Sequence, residues 1–550
     1  MVHFDIDNTP PYGALSYCWG PGPDDCKILC DGKVFFARAS LECALKRLRA
    51  GFPTGKREVF IWADALCINQ QNLEEKGAQI RLMERIYSSA ATVYVDLGDI
   101  EGSTVSVGGF TLKFGGHGGG LGAPDPLTES DHPDHPLHYK TAFRALHQPW
   151  FTRTWIIQEV ALARYTKYIF HGNIFTQQQL DSIFSRDAMR ANPDRLQELM
   201  GDEIAMRGFM NYSKLQQIKN HNGKMGALQL IQLTNNFTAT HPEDKIFGLF
   251  ALMNDADREA IGPYSRSVEE VFRRFAALQV RHGRTITLLD SAGLQRQRLP
   301  GGNLPSWVPD WTAQNMSPGV ISTRRPVPYS ASGSSQAHIQ LVGDEMGMGG
   351  LSLRGLIVGR IESVAHVHSA PWTSRHGEPD FLTFHSEFRS AFDDFVHQGR
   401  SVYVDNEEAF ARLLLMDDMY TGRNAILYSS PIVDPVATYR AALAAWREGK
   451  SYQEGMRRDK MDAVQTFQMQ AVTGCPGRGF ATTRGGYIGL VPPCAQIGDL
   501  VVVPFGATVP YVIRRVQNGH LLVGDAFVHG VMYGEALGRR DLTPMDVVLI

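Results

Sequence analysis

Apolar positions over the first hundred residues fall into two alternating periods. ALSYCWG (residues 14–20), VFIWA (59–63) and ATVYVDLGD (91–99) are short apolar runs of the kind that form buried strands. Between the first two, RASLECALKRLRAG sets Leu41, Ala44, Leu45 and Leu48 on one helical face, with Ser40 as the expected N-cap and Gly51 as terminator. Between the second and third, residues 74–89 place Ile80, Met83, Ile86 and Tyr87 on a single face. Alternating strands and helices of this length predict a parallel sheet covered on both sides and joined by right-handed crossovers.

The pattern then lapses. Residues 99–138 show no periodicity and carry eight glycines between Gly108 and Gly122, without the GxxxxGK[ST] order of a phosphate loop, so a flexible insertion is expected. Helical period returns in PWFTRTWIIQEVALAR (149–164), and TKYIFHG supplies another strand. Residues 176–337 are mainly helical in pattern, with Ser267 and Glu270 as a capping box. Beyond LPSWVPDW, whose Trp307 and Trp311 suit core anchors, short strand patterns with glycine turns take over. Residues 338–367 and 467–550 together predict a small discontinuous β-barrel, interrupted by a helical insertion at 368–466, because neither set alone supplies enough strands to avoid open edges. The α/β unit itself is assigned to residues 1–175.

Composition narrows the class. The 550 residues are 43% hydrophobic and 20% charged with a formal net charge of −3, which suits a folded multidomain protein and gives no basic stripe for nucleic acid. No apolar run reaches the length of a membrane span and the start has no signal-peptide pattern, so a cytoplasmic protein is expected. Seven cysteines, an odd number, point to reduced thiols. Cys18, Cys26 and Cys30 lack zinc-finger spacing and are assigned as small buried hydrophobes, while His132, His135 and His138 fall in a Pro-rich loop; no metal is expected.

The motifs YGALSYCWG, IWADALCINQQNLEEKGAQIRLMERIYSSAATVYVDLG and PWFTRTWIIQEVALAR resemble, in order and spacing, the three blocks of the heterokaryon-incompatibility (HET) domain of filamentous fungi. Downstream, ATHPEDKIFGLFAL, PYSRSVEEVFRRFA, LPSWVPDW and GYIGLVPPCAQIGDLVVVPFG resemble the extensions of full-length family members, so the likeness covers nearly the whole chain. The resemblance implies programmed cell death on fusion of incompatible cells and a TIR-like, or flavodoxin-like, parallel sheet. It also implies a role for Glu159: Trp155 followed four residues later by Glu159 is similar to the TIR pattern in which the glutamate cleaves NAD. Two positions depart from the family pattern, Asp96 where tryptophan is usual and Asn72 where aspartate is usual.

Ligands of parallel α/β sheets settle at the carboxyl ends of the strands. That rim would gather Ser16 and Tyr17, Trp19 or Trp62 for base stacking, Asp64, Asp96, and from the segment after the insertion Arg153, Trp155 and Glu159. Glu159 is the candidate catalytic residue and the others candidate substrate contacts: a carboxylate beside a ribose stabilises an oxocarbenium-like transition state, and nicotinamide leaves neutral without a general acid. Arg153 would pair with a phosphate. NAD is thus the candidate substrate, with no bound cofactor, and a homo-oligomer is the candidate assembly. Plainer assignments stand beside these: Glu159 as a helix-end carboxylate paired with Arg153, Asp64 as a turn cap, Ser16 and Tyr17 as packing residues. At the level of function, the alternatives are a non-catalytic, self-associating death-signalling module and an enzyme of specialised metabolism acting on another small molecule.

Overall fold

The computed structural model describes residues 1–20, 22–52, 59–99, 105–107, 110–112, 139–171, 173–221, 225–294, 299, 304–313, 329–343, 349–365, 381–417, 428–429, 432–450, 460–475 and 477–550. The chain divides into two compact units, Met1–Val268 and Glu269–Ile550.

The first unit is built on a five-stranded sheet. Its strands are β1 (Tyr12–Tyr17), β4 (Phe60–Trp62), β5 (Thr92–Gly98), β8 (Thr166–Phe170) and β9 (Asn173–Thr176), in the order β4-β1-β5-β8-β9. The first four are mutually parallel and β9 returns antiparallel on β8. Because the strand order reverses at β1, the gap between the carboxyl ends of β1 and β5 is the topological switch point where a ligand crevice forms. Helix α1 (Ala39–Ala50) buries Leu41, Ala44 and Leu48 against Leu15 and Tyr17 on one face of the sheet. Ser16, one residue out of phase, faces the other side, where α3 (Leu73–Ser89) buries Ile80, Met83, Ile86 and Tyr87. The short helix α2 (Asp64–Cys67) follows β4 directly, and Asn72 caps α3 by accepting from the N–H groups of Glu74 and Glu75.

Several local expectations need correction. β1 ends at Tyr17 rather than Gly20, and a hairpin of β2 (Cys26–Cys30) and β3 (Lys33–Ala37) separates it from α1. The Asp31-Gly32 tip has φ of 50° and 74°, the left-handed pair that a tight hairpin turn requires. Arg38, not Ser40, occupies the N-cap of α1; the Ser40 hydroxyl instead donates to the Trp19 carbonyl. Cys18, Cys26 and Cys30 are partly exposed rather than buried: Cys18 lies just past the end of β1, and Cys26 and Cys30 sit on β2, which belongs to this two-stranded ribbon and not to the main sheet. Among the described residues no group of His, Cys, Asp and Glu is placed to hold a metal, and no helix is long and apolar enough to cross a membrane. Of the glycine-rich insertion only a hairpin of β6 (Val105–Val107) and β7 (Phe110–Leu112) is described; its remainder, with His132, His135 and His138, lies outside the described residues.

Helices α4 (Tyr139–Ala145) and α5 (Ile156–Ala161) precede β8, and further helices of the first unit include Glu203–Asn220 and Ala227–Leu233. Gly208 lets the helix Glu203–Asn220 approach the backbone that leads into the α5 segment; a Cβ there would lie 2.0 Å from the Leu146 carbonyl oxygen.

The second unit begins with an amphipathic helix, Val268–Arg281, whose Phe272 and Phe275 take the Trp311 ring edge-on at 5.0 Å each, while Trp307 is fully buried. Its strands are β10 (Ile339–Val342), β11 (Gly350–Ala365), β12 (Tyr428–Ser429), β13 (Lys460–Met461), β14 (Gly479–Thr483), β15 (Ile488–Val491), β16 (Leu500–Pro504), β17 (Tyr511–Val516), β18 (Gly519–Asp525), β19 (Phe527–Val528) and β20 (Met545–Leu549). The sixteen-residue β11 serves successive partners along its length: residues 350–353 pair with β10, 351–355 with β20, 355–360 with β16 and 361–365 with β14. Pairings β11–β16, β16–β17, β17–β18, β18–β20 and β20–β11 therefore return to their starting strand. Leu356, Val358, Val501, Val503, Val512 and Val523 belong to the shared core. The helices Phe381–His397, Asn406–Leu414, Pro435–Arg447 and Ala463–Gly474 lie between β11 and β14 in the chain.

Candidate functional site

The crevice side of β1 carries a small polar residue where an apolar one would pack. Ser16 is 1% exposed and Glu159, on α5, is 4% exposed, so neither can leave its polar atoms bare. The Ser16 hydroxyl donates to Glu159 Oε2 and accepts from the indole Nε1 of Trp150 at 2.8 Å. Trp150 itself is 1% exposed and stands edge-on to Phe151 and Tyr168, which fixes its ring. The carboxylate thus joins the end of β1 to α5 through one hydroxyl.

Around that contact the charges are unequal. Burial pushes the Glu159 carboxyl up to about 7; Arg153 and the Ser16 hydroxyl work against the rise, and the neighbouring Asp64 carboxylate adds to it. Arg153 donates to the Tyr17 carbonyl and acts on Glu159 and Asp64 through its charge. Asp64, the first residue of α2, accepts from the Ala65 N–H at 2.7 Å and from Trp19 Nε1 at 3.0 Å, and burial raises its pKa despite Arg153. Trp19 carries the Arg38 guanidinium 5.4 Å from its ring centroid. Tyr17 is shifted upward by burial first and by Asp64 second.

Of the residues picked from the sequence, Ser16, Tyr17, Trp19, Asp64, Arg153 and Glu159 therefore fall into one connected group. Asp96 does not join it. It pairs with Tyr17 in strand register, but α1 presents Arg47, which holds both Asp96 oxygens at 2.7 Å and reaches Asp99 at 2.6 Å. Trp155 is also drawn elsewhere: its Nε1 donates to Asp244 Oδ2 at 3.0 Å. Trp62 packs edge-on against Tyr87, with centroids 5.6 Å apart.

The residues that brace the group were not singled out from sequence. Trp150 sits within a quoted motif, and its buried N–H needed a partner that only the tertiary structure identifies. Asp244 and Gly248 lie in ATHPEDKIFGLF, a block quoted as a family extension without a role. The backbone of Thr154 and Thr238 is bridged by Thr154 N to Thr238 O at 2.8 Å, and the Gln158 amide takes the Ala251 N–H at 3.2 Å. The segment from Thr238 to Ala251 therefore holds α5 just before its first turn and at Gln158 in its middle.

Comparison with known proteins agrees with the sequence blocks. The family model described as heterokaryon incompatibility protein (HET) matches residues 12–159, which run from β1 to Glu159, and the Het-6 beta-barrel domain model matches residues 405–543. The chain is 26% identical to heterokaryon incompatibility protein 6, OR allele, of Neurospora crassa, over 96% of this chain and 90% of that protein. It is 29% identical to vegetative incompatibility protein HET-E-1 of Podospora anserina, over 28% of this chain and 9% of that protein. No solved structure matches. Both family models are thus found in order along a chain similar to the Neurospora protein over nearly its whole length: residues 12–159 match the heterokaryon incompatibility (HET) model and residues 405–543 the Het-6 beta-barrel model.

Proposed function

We propose that the first unit is a TIR-like, nucleotide-processing domain in which Glu159 promotes cleavage of the nicotinamide N-glycosidic bond of NAD, and that this activity serves a cell-death response within incompatibility, the process its relatives are named for. The observation that carries the reading is the position of Glu159: a buried carboxylate bonded to the end of β1 at the switch point, with Arg153 and Asp64 beside it. In the proposed reaction the bond between C1′ and the pyridinium nitrogen breaks with its electron pair going to nitrogen, so nicotinamide departs neutral. The ionised carboxylate stabilises the ribosyl cation, water adds at C1′, and one proton is released to solvent with ADP-ribose. Because only the ionised form stabilises a cation, turnover should rise with pH through a midpoint near 7. Arg153 and Arg38 are the cations available to phosphate. In the second unit, the closed circuit of strand pairings supports reading it as the barrel of the Het-6 type.

One observation favours a second reading. Glu159 is hydrogen-bonded inside the fold and only 4% exposed, as a structural carboxyl would be in a non-catalytic, self-associating signalling module. Incubating the purified protein with NAD and detecting nicotinamide and ADP-ribose by mass separates the two. On the catalytic reading, Glu159→Gln lowers turnover by about 100-fold or more, as expected on losing one electrostatic stabiliser. A folded wild type that releases no nicotinamide, or a Gln variant that matches it, moves the signalling reading ahead.

A further inference from the structure

Helix α5 is only six residues long and opens at Trp155 without a side-chain cap hydrogen bond, yet it must hold Glu159 against Ser16 across the sheet. So short a helix has little stability of its own. What fixes it is outside it. Asp244 is 5% exposed and both of its oxygens are engaged: Oδ2 accepts from the Trp155 indole at 3.0 Å and Oδ1 from the Tyr264 hydroxyl at 2.8 Å. Tyr264 is in turn fixed by Lys76 of α3, whose Nζ lies 3.3 Å from the hydroxyl and 4.6 Å from the ring centroid. Gly248, one turn beyond Asp244, brings this block so close that an added Cβ would stand 2.7 Å from Thr154 Cγ2.

A buried carboxylate with two neutral donors is a costly way to hold a tryptophan, since an apolar contact would pack the ring without desolvating a charge. The indole bond adds direction: it sets the rotation of the first turn of α5, and Glu159 lies one further turn along the same helix. We infer that Asp244 is a positioning residue for Glu159, fixing through Trp155 the orientation in which the carboxylate meets Ser16. The inference rests on the functional reading above for its effect on turnover, while its effect on Glu159 itself can be read without any substrate.

The test uses the full chain labelled with glutamate enriched in 13C at Cδ, the Glu159 resonance being identified by its loss in Glu159→Gln. In Asp244→Ala, α5 is released, Glu159 gains access to water, and its titration midpoint falls from near 7 toward the ordinary carboxyl range of about 4.3. Nicotinamide release, where the wild type shows it, falls about 10- to 100-fold in kcat with little change in KM. Asp244→Asn, which keeps an acceptor for the indole, restores most of both. Should the alanine variant fail to fold, Trp155→Phe removes only the donor and is expected to move the midpoint in the same direction. An unmoved Glu159 midpoint in a folded Asp244→Ala or Trp155→Phe protein overturns the inference even if turnover changes. A shifted midpoint in a protein without NAD cleavage upholds the positioning role and sinks only the catalytic reading.

Discussion

Ser16 shows how a single side chain can be read correctly as to place and incompletely as to partner. Its location at a strand end follows from the apolar run around it, whereas its link to Trp150 and Glu159 depends on residues more than 130 positions away. Asp96 makes the converse point. As a carboxylate at the end of β5 it belonged on the rim, but the bidentate grip of Arg47 comes from an α1 position that the helical pattern assigns only to the polar face. The Glu159 carboxyl also has a measurable thermodynamic consequence. Its pKa is raised on folding from about 4.5 to about 7, so between those values the folded protein holds a proton that the unfolded chain has lost, and stability falls as pH rises through that window. The linked loss is on the order of 3 kcal/mol, levelling off above pH 7. Chemical denaturation at pH 5 and pH 8 should show this loss in the wild type and a clearly smaller one in Glu159→Gln; equal losses would mean that Glu159 is not the group responsible.

At the level of elements, the period of apolar residues located β1, α1, β4, α3, β5 and β8 to within a few positions, because each buries one face or both, while α2 and β9 were not picked out. It could not reveal the β2–β3 hairpin as a separate ribbon. Leu29, Val34 and Phe36 on that ribbon are more than half exposed, so their apolar character signals burial that does not occur. The Asp31-Gly32 pair was the available clue. α5 is the opposite case: its pattern is legible, but its length and rigidity are supplied by the block after Phe237. That dependence predicts a steric effect. Gly248→Ala places a methyl 2.7 Å from Thr154 Cγ2 and 2.9 Å from the Asp244 carbonyl oxygen. The block must then back away from α5, with a destabilisation of about 1–3 kcal/mol. Denaturant melts of the variant against wild type measure it, and an unchanged midpoint would show that the two segments are not pressed together.

On the scale of the whole molecule, the helical stretch after residue 175 is divided: Met1–Val268 is one compact unit, and the helix Val268–Arg281 lies at its boundary with the other. Periodicity alone marks helices without saying which core they face. If Met1–Val268 is self-sufficient, that fragment should express as a folded protein with a cooperative thermal transition by circular dichroism, and a featureless melt would argue that it needs the rest of the chain. In the other unit, the pattern around 350–365 predicted short strands with glycine turns, whereas one long strand runs through and changes partner; its glycines mark close approaches instead, a Cβ at Gly355 meeting the Val503 carbonyl oxygen at 2.5 Å and one at Gly359 meeting Thr483 Cβ at 3.1 Å. The same strand bears on how the protein is made. β11 is complete by Ala365, whereas β20 spans Met545–Leu549, so on a ribosome adding about 5–20 residues per second the apolar strand waits roughly 10–40 s for its last partner. Through that interval the stretch of β11 that will meet β20 stands without that partner, so this unit closes only when synthesis is all but finished.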